Sequence, residues 1–238
     1  KLALEHNVDA VIGLGGGSVI GMAKAVSDRL HESKTGIPGR EASPLEPAVV
    51  PTIMLPTTYA GSEMTPVYGI TGPVDGVRRK MTVSGRNVVP RVVVYDPELT
   101  LGMPPALTGT SAMNALAHCF EALYSAKRDP VSTASALRGI RALGLSLPEA
   151  HAEPENLSAR EGLLEGAFLA GAALAQVQMG IHHGVCHVLG GSAGVPHGVA
   201  NTIVLPHALR FNREVARTEL AEAAVALDHA QPGDDPHL

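Results

Sequence analysis

Apolar residues in the first hundred positions come in short runs, each ended by glycine or proline. Val8-Asp-Ala-Val-Ile12 is a β-branched run stopped at Gly13 and predicts a buried strand. Residues 19–30 carry helical periodicity, and the Pro- and Gly-bearing stretch 36–48 predicts a loop. Residues 49–55 predict a second strand, ended by Pro56-Thr-Thr58. Residues 67–71 and 80–83 predict short strands about a turn, and 92–96 a third parallel strand. Strands alternating with a helix predict an α/β layer around a parallel sheet. After Pro104-Pro105 the period changes. Residues 108–125, 131–147, 160–179, 182–189, 198–211 and 214–227 all fit helices, the third rich in Ala and Gly for close packing. Only residues 202–205 have strand character there. The predicted organisation is an α/β domain over 1–102 followed by an all-helical domain over 103–238.

Composition narrows the function classes. The chain has 238 residues, 45% hydrophobic and 17% charged, enough for a sizeable core. A net charge of −5 argues against a nucleic-acid footprint. No apolar run reaches the roughly 20 residues of a membrane helix. Two cysteines exclude a disulfide scaffold and fit a reducing, cytoplasmic compartment. The chain opens within helical pattern without Met and ends in a polar tail, so a piece of a longer protein is expected.

Two turns carry candidate chemistry. Gly13-Leu-Gly-Gly-Gly-Ser18 lies between a predicted strand and a predicted helix. Glycines there let backbone approach a pyrophosphate, and the helix start offers unpaired N–H groups. Ser18 is a candidate N-cap and phosphate donor. A tight turn without ligand is the other reading. Pro56-Thr-Thr-Tyr-Ala-Gly-Ser-Glu63 follows the next strand and places three hydroxyls at its C-terminal end, where open sheets bind ligands.

Eleven histidines are present, five of them between 182 and 207. Asn114 and His118 share one helix face, as do His183 and His187. Two facing helices would bring Asn114, His118, His183 and His197 together, a set suited to zinc or iron, with the neutral amide as its weak member. Separate core or capping histidines are the alternative. Cys119 and Cys186 point about 100° away from the neighbouring histidines and read as packing residues.

These stretches resemble the iron-type (group III) alcohol dehydrogenase superfamily, and within it the maleylacetate reductases. The matching segments are residues 15–25, 55–71, 95–105, 110–125 and 181–198, which span most of the chain. The resemblance implies a Rossmann-like dinucleotide domain, incomplete here, followed by a helical domain of the dehydroquinate synthase-like, iron-type dehydrogenase plan, with the active site in the cleft. It also implies longer relatives. Where the dehydrogenases hold a metal with one Asp and three His, this chain has Asn114, His118, His183 and His197. Gly21 replaces a further Asp. Both changes, with Tyr59-Ala-Gly61, are similar to the reductases, whose metal is not essential. Pro196-His-Gly-Val-Ala-Asn201 departs from the reductase pattern toward the dehydrogenases, and Gly184 stands where the reductases commonly carry a basic residue.

The resemblance therefore implies reduction of maleylacetate to 3-oxoadipate by NADH or NADPH, in a cytoplasmic homodimer that engages neither nucleic acid nor membrane. Gly16, Gly17 and Ser18 would hold the pyrophosphate. Thr57, Thr58 and Ser62 would hold neighbouring parts of the cofactor, and Lys80 the nicotinamide ribose. His118, His183 and His197 would face the charge that develops on the substrate. His187 is the candidate proton donor, with Tyr59 as a second acid. His182 and Arg79 are candidate anchors for an oxo-dicarboxylate. The competing readings are a metal-dependent alcohol dehydrogenase and a non-catalytic nucleotide-binding or assembly fragment.

Overall fold

A computed structural model describes residues 2–37, 50–74, 77–85, 88–231 and 234, with backbone alone for 71, 73, 74 and 77–80. Most of the expected loop 36–48 lies outside the described residues. The chain divides into two units. An α/β unit holds residues 1–57 and 62–96; a helical unit holds 58–61 and 97–238. The threonine-rich turn is thus shared, and the main crossing falls at Asp96–Pro97.

The α/β unit begins with a short helix α1 (Leu2–Glu5). Its sheet is three parallel strands in the order β1 (Val11–Gly15), β2 (Thr52–Pro56), β5 (Val92–Val93). β1 starts later than its apolar run because its register with β2 pairs Val11 with Thr52 and runs on to Gly15 opposite Pro56. Helix α2 (Gly17–Thr35) packs Ile20 and Ala23 on Met54 and ends at Gly36, a left-handed C-cap with φ 74°. β3 (Val67–Val74) and β4 (Val77–Ser84) form an antiparallel hairpin, longer than either expected strand. β5 is shorter than expected. The Val94 N–H still reaches Met54 O at 2.8 Å, but the chain then turns into the 3₁₀ segment Pro97–Thr100.

One buried cation fixes the hairpin and the hydroxyl-rich turn to α2. Lys24 is fully buried, and its Nζ donates to Ser62 O and Thr65 O at 2.6 Å and to Val67 O at 3.1 Å. Its ammonium thus has three carbonyl acceptors, the condition under which a buried charge is tolerated. Burial still pushes its pKa down to about 8, against the pull of Glu63. Glu63 is itself buried and accepts from Tyr95 OH at 2.8 Å. Burial raises its carboxyl, opposed by its own backbone hydrogen bond, Tyr95 and Lys24.

The helical unit runs α3 (Pro105–Leu123), α4 (Pro130–Ala152), α5 (Leu157–Leu174), α6 (Ile181–Ala193), α7 (His197–Asn212) and α8 (Arg217–Ala226). Helix starts follow local chemistry. Asp129 and Ser132 form a reciprocal capping box on α4, and Asn156 caps α5. Small residues let α3, α4 and α5 approach closely: a Cβ on Gly139 would stand 2.8 Å from Cys119 Sγ, and one on Gly166 2.5 Å from Leu143 Cγ. Buried Ile140, Leu143 and Leu163 fill the space between, each contributing roughly 1.5–3 kcal/mol. Both cysteines are free and buried, as packing residues should be.

Two expectations are corrected here. α5 stops at Leu174 rather than 179, because Ser125 Oγ holds Gln178 O at 2.9 Å and Glu121 holds the Gly180 N–H. Residues 202–205 are helical, not a strand; they lie inside α7, where Thr202 Oγ1 bonds back to Gly198 O at 2.8 Å. No helix among the described residues is long and apolar enough to cross a membrane.

Lys24→Met strands buried carbonyls and should lower stability by about 2–3 kcal/mol, measured by urea unfolding at pH 7. The ammonium releases its proton near 8 when folded and near about 10.5 when unfolded. The unfolded chain therefore holds the extra proton between these values, and raising the pH through them favours the folded state. Melting at pH 8 and pH 10 should show this gain in the wild type and lose it in Lys24→Met.

Candidate active site

In the α/β unit the two ligand-type turns lie side by side. β1 ends at Gly15, whose carbonyl accepts the Thr57 N–H at 3.1 Å. Gly16 is the N-cap of α2 and supplies no side-chain cap, so Ser18 lies inside the first turn and is not the cap the sequence predicts. Gly17 and Ser18 are exposed. Ser62 comes close to them: a Cβ on Gly17 would sit 3.8 Å from Ser62 Oγ. That hydroxyl is buried and has no hydrogen-bond partner. An uncapped helix start beside an unsatisfied hydroxyl suits a phosphate-bearing ligand. Thr57 and Thr58 are half-buried. Lys80 and Arg79 occupy β4, opposite Thr71 and Gly72, and their side chains lie outside the described residues.

In the helical unit, α3 carries Asn114, His118 and Glu121 at spacings of four and three, so all three share one face. α6 supplies His182, His183 and His187, and α7 begins with His197. The histidines expected to meet do so. The His118 and His183 rings stack at 4.7 Å between centroids, 19° apart. His197 lies 6.0 Å from His183 and 5.9 Å from His187, and His187 lies edge-on to His183 at 6.4 Å. His118 and His183 are buried, His197 half-buried and His187 exposed, so the cluster runs from the core to the surface. Burial, then the neighbouring His183, His197 and His182, holds His118 well below the ordinary imidazole range, so it is neutral at pH 7.

Glu121 is the residue that sequence reasoning missed. It is fully buried. Its Oε1 accepts the Gly180 and His182 N–H groups, each at 3.0 Å, and its Oε2 faces His183 Nδ1 at 2.5 Å. Burial alone would raise this carboxyl, but the His183 ring, His182 and the His182 N–H together hold it below the usual carboxylate range. Its stripe position, three residues beyond His118, was the available signal.

Several expected roles change on these contacts. His182 is fully buried, and its Nε2 meets Asn201 O at 3.1 Å. Burial lowers its pKa, partly offset by that carbonyl. It is a neutral tie between α6 and α7, not an anion anchor. Tyr59 is also fully buried. Its hydroxyl donates to Thr100 Oγ1 at 2.9 Å and accepts from Arg160 Nη1 at 2.9 Å. Arg160 also donates to Pro154 O at 2.6 Å. Tyr59 thus holds the 58–61 segment in the helical unit, with its hydroxyl engaged by both Thr100 and Arg160. Gly61 in that segment has φ +71°, and a Cβ there would meet Ala167 O at 2.6 Å, so only glycine fits.

For a divalent cation the donor set fits poorly. Asn114 Oδ1, His118 Nδ1 and His183 Nε2 are buried without partners. The set has no carboxylate, however, and the near-parallel stack keeps the His118 and His183 ring planes from converging on one point. Among the described residues, Glu121, His182 and His183 bring metal-capable atoms within 4.8 Å of one another. Those atoms are already engaged in the hydrogen bonds described above.

Relatives agree with this two-part plan. Residues 1–97 match the family described as iron-containing alcohol dehydrogenase, and residues 108–235 match its counterpart, the Fe-containing alcohol dehydrogenase family, C-terminal. A maleylacetate reductase of Burkholderia cepacia is 43% identical, covering 94% of this chain and 58% of the relative. Maleylacetate reductase 2 of Cupriavidus pinatubonensis is 41% identical, covering 98% and 59%. Among solved structures, the maleylacetate reductase from a Rhizobium sp. aligns with TM-score 0.82 and 38% identity over 95% of this chain and 59% of that one. An alcohol dehydrogenase from Oenococcus oeni aligns with TM-score 0.89 and 29% identity over 99% and 61%. The chain spans about three fifths of the length of the curated relatives it matches. It belongs to the iron-containing alcohol dehydrogenase family.

Proposed function

We propose that this chain is part of a maleylacetate reductase, which uses NADH or NADPH to reduce an unsaturated oxo-dicarboxylate, maleylacetate, to 3-oxoadipate during breakdown of aromatic compounds. The observation that carries the reading is the set of relatives named maleylacetate reductase, 38–43% identical over more than nine tenths of the chain. Asn114 supports it, because a neutral amide is a poor cation ligand.

The nicotinamide, when bound, supplies the hydride. This chain supplies the rest. The N–H groups of Gly16, Gly17 and Ser18 face a pyrophosphate, helped by the positive end of α2. Ser62 offers its unsatisfied hydroxyl, and Thr57 and Thr58 are assigned to neighbouring parts of the cofactor. Lys80 is assigned to the nicotinamide ribose on sequence resemblance, and Arg79 to a substrate carboxylate by its charge. Reduction leaves negative charge on the substrate's oxo oxygen, which a proton or hydrogen bond must meet. His118 and His197 flank that position, and His183 faces the hydroxyl that forms once the charge is protonated. His187 lies at the exposed end of the cluster, where it exchanges protons with water, and acts as the proton donor. Free, buried cysteines fit a cytoplasmic enzyme, and a homodimer is its assigned assembly.

The first test, on the full-length protein, is NADH and NADPH oxidation with maleylacetate, with metal content measured on the same sample and the assay repeated after chelation. Turnover surviving chelation supports the reading. Alcohol oxidation that needs bound iron or zinc, with no reduction of maleylacetate, replaces it by the metal-dependent dehydrogenase that the 196–201 segment resembles. A full-length protein that folds and binds NADH but turns over neither substrate replaces it by a nucleotide-binding module.

His187→Ala should cut kcat by about 100-fold or more while cofactor affinity stays nearly constant; steady-state kinetics beside NADH titration checks this. Asn114→Asp adds one negative charge on the α3 face that carries His118 and should raise zinc affinity by about tenfold or more, read by competition with a chromogenic chelator.

A further inference from the structure

We propose that Glu121 is a positioning residue: it locks His183 in the Nδ1–H tautomer, which leaves Nε2 as an acceptor for a ligand hydroxyl. The argument starts at His182, one residue earlier. Its Nε2 meets a backbone carbonyl, Asn201 O, at 3.1 Å. A carbonyl only accepts, so His182 Nε2 carries the proton and its Nδ1 is bare. His183 Nδ1 then has two neighbours, Glu121 Oε2 at 2.5 Å and the bare His182 Nδ1 at 3.2 Å. Both are acceptors. His183 Nδ1 must therefore be the N–H, shared unequally between them, and in the neutral form of the ring the lone pair is then on Nε2. Nε2 lies across the ring from Glu121, is buried, and has no partner.

The carboxylate cannot turn away from this task. α6 starts at Gly180, which offers no side-chain cap. Glu121 supplies the cap from α3, taking the Gly180 and His182 N–H groups on Oε1 and the His183 N–H on Oε2 at 3.3 Å. Four donors converge on two oxygens, and the positive end of α6 favours the charge. The approach is close enough that a Cβ on Gly180 would stand 2.9 Å from Oε1. The first turn of α6 therefore holds the carboxylate, and the carboxylate holds the ring.

An acceptor at Nε2 selects a ligand bearing a hydroxyl. On the reductase reading, hydride from the nicotinamide adds to the carbon–carbon double bond, the electron pair passes to the substrate's oxo oxygen, and His187 protonates that oxygen to an enol hydroxyl, which moves its proton to carbon as the oxo product forms. Nε2 accepts from that hydroxyl. This last role rests on the proposed activity; the tautomer does not.

The test uses the whole chain with ¹⁵N-labelled histidine, and long-range ¹H–¹⁵N spectra with His183 assigned through His183→Asn. The expected wild-type spectrum shows the proton on Nδ1 of His183. In Glu121→Gln the amide oxygen still takes the Gly180 and His182 N–H groups, while its NH₂ faces His183 Nδ1 and drives the proton to Nε2. With maleylacetate, kcat should fall about 100-fold or more with KM and NADH affinity within about threefold, as for a ring held in the wrong tautomer. A wild-type proton on Nε2, an unchanged tautomer in Glu121→Gln, or a switched tautomer with unchanged kcat would each overturn the proposal. If Glu121→Gln does not fold, the wild-type spectrum decides alone. If the wild type does not reduce maleylacetate, the reductase reading falls while the spectra still decide the hold of Glu121 on His183.

Discussion

A carboxylate buried with no access to water must be neutralised where it stands, and in the helical unit that requirement falls on Glu121. Its neighbours are arranged to meet it. The chain after α5 bends back so that Gly180 and His182 present their N–H groups, and α6 starts there. His183 faces it because its ring nitrogen is the remaining donor. His118, one turn earlier on α3, stacks on that ring, and His197 and His187 extend the cluster outward. The geometry of the imidazoles thus follows from solvating one charge.

The α/β unit solves the mirror problem with a cation. Lys24 is buried on α2 and takes its acceptors from Ser62, Thr65 and Val67. Those carbonyls belong to the segment that carries the Ser62 hydroxyl beside Gly17. In each unit a fully buried charge on a helix shapes an irregular stretch of another segment, and the groups assigned to ligands sit on or beside that stretch. Loops positioned this way gain rigidity without regular secondary structure.

Most of the fold was legible in the sequence because periodicity reports which face is buried. The helices of the second half and the parallel strands of the first were predicted by it. The misreadings have local causes. β-Branched Thr202, Ile203 and Val204 looked like a strand, but tertiary packing of Val204 against Cys186 and Ala200 keeps them helical. The end of α5 was invisible because Glu121 on α3 and Ser125 just beyond it impose it from far along the chain. Within the site, histidine spacing placed the cluster, since residues four apart share a face. It could not separate working rings from structural ones. His182 and Tyr59 are titratable residues inside recognisable motifs, and their roles changed only when Asn201 O and Arg160 appeared as partners. Glu121 and Lys24 stood in plain view within those motifs; burial, which marks them out, has no signature in one sequence.

The stripe along α3 has a consequence for how such a site can change over time. Asn114, His118 and Glu121 are seven residues apart end to end, yet they are not equally free to vary. Asn114 leaves its carbonyl oxygen unpartnered and supports no other element through it, so exchanging it alters the affinity of the pocket for ions and little else. Glu121 supports the start of a neighbouring helix and the protonation pattern of a ring at once. Any exchange there must satisfy both demands in a single step. New chemistry in this scaffold is therefore accessible from the N-terminal end of the stripe, while its C-terminal end stays fixed.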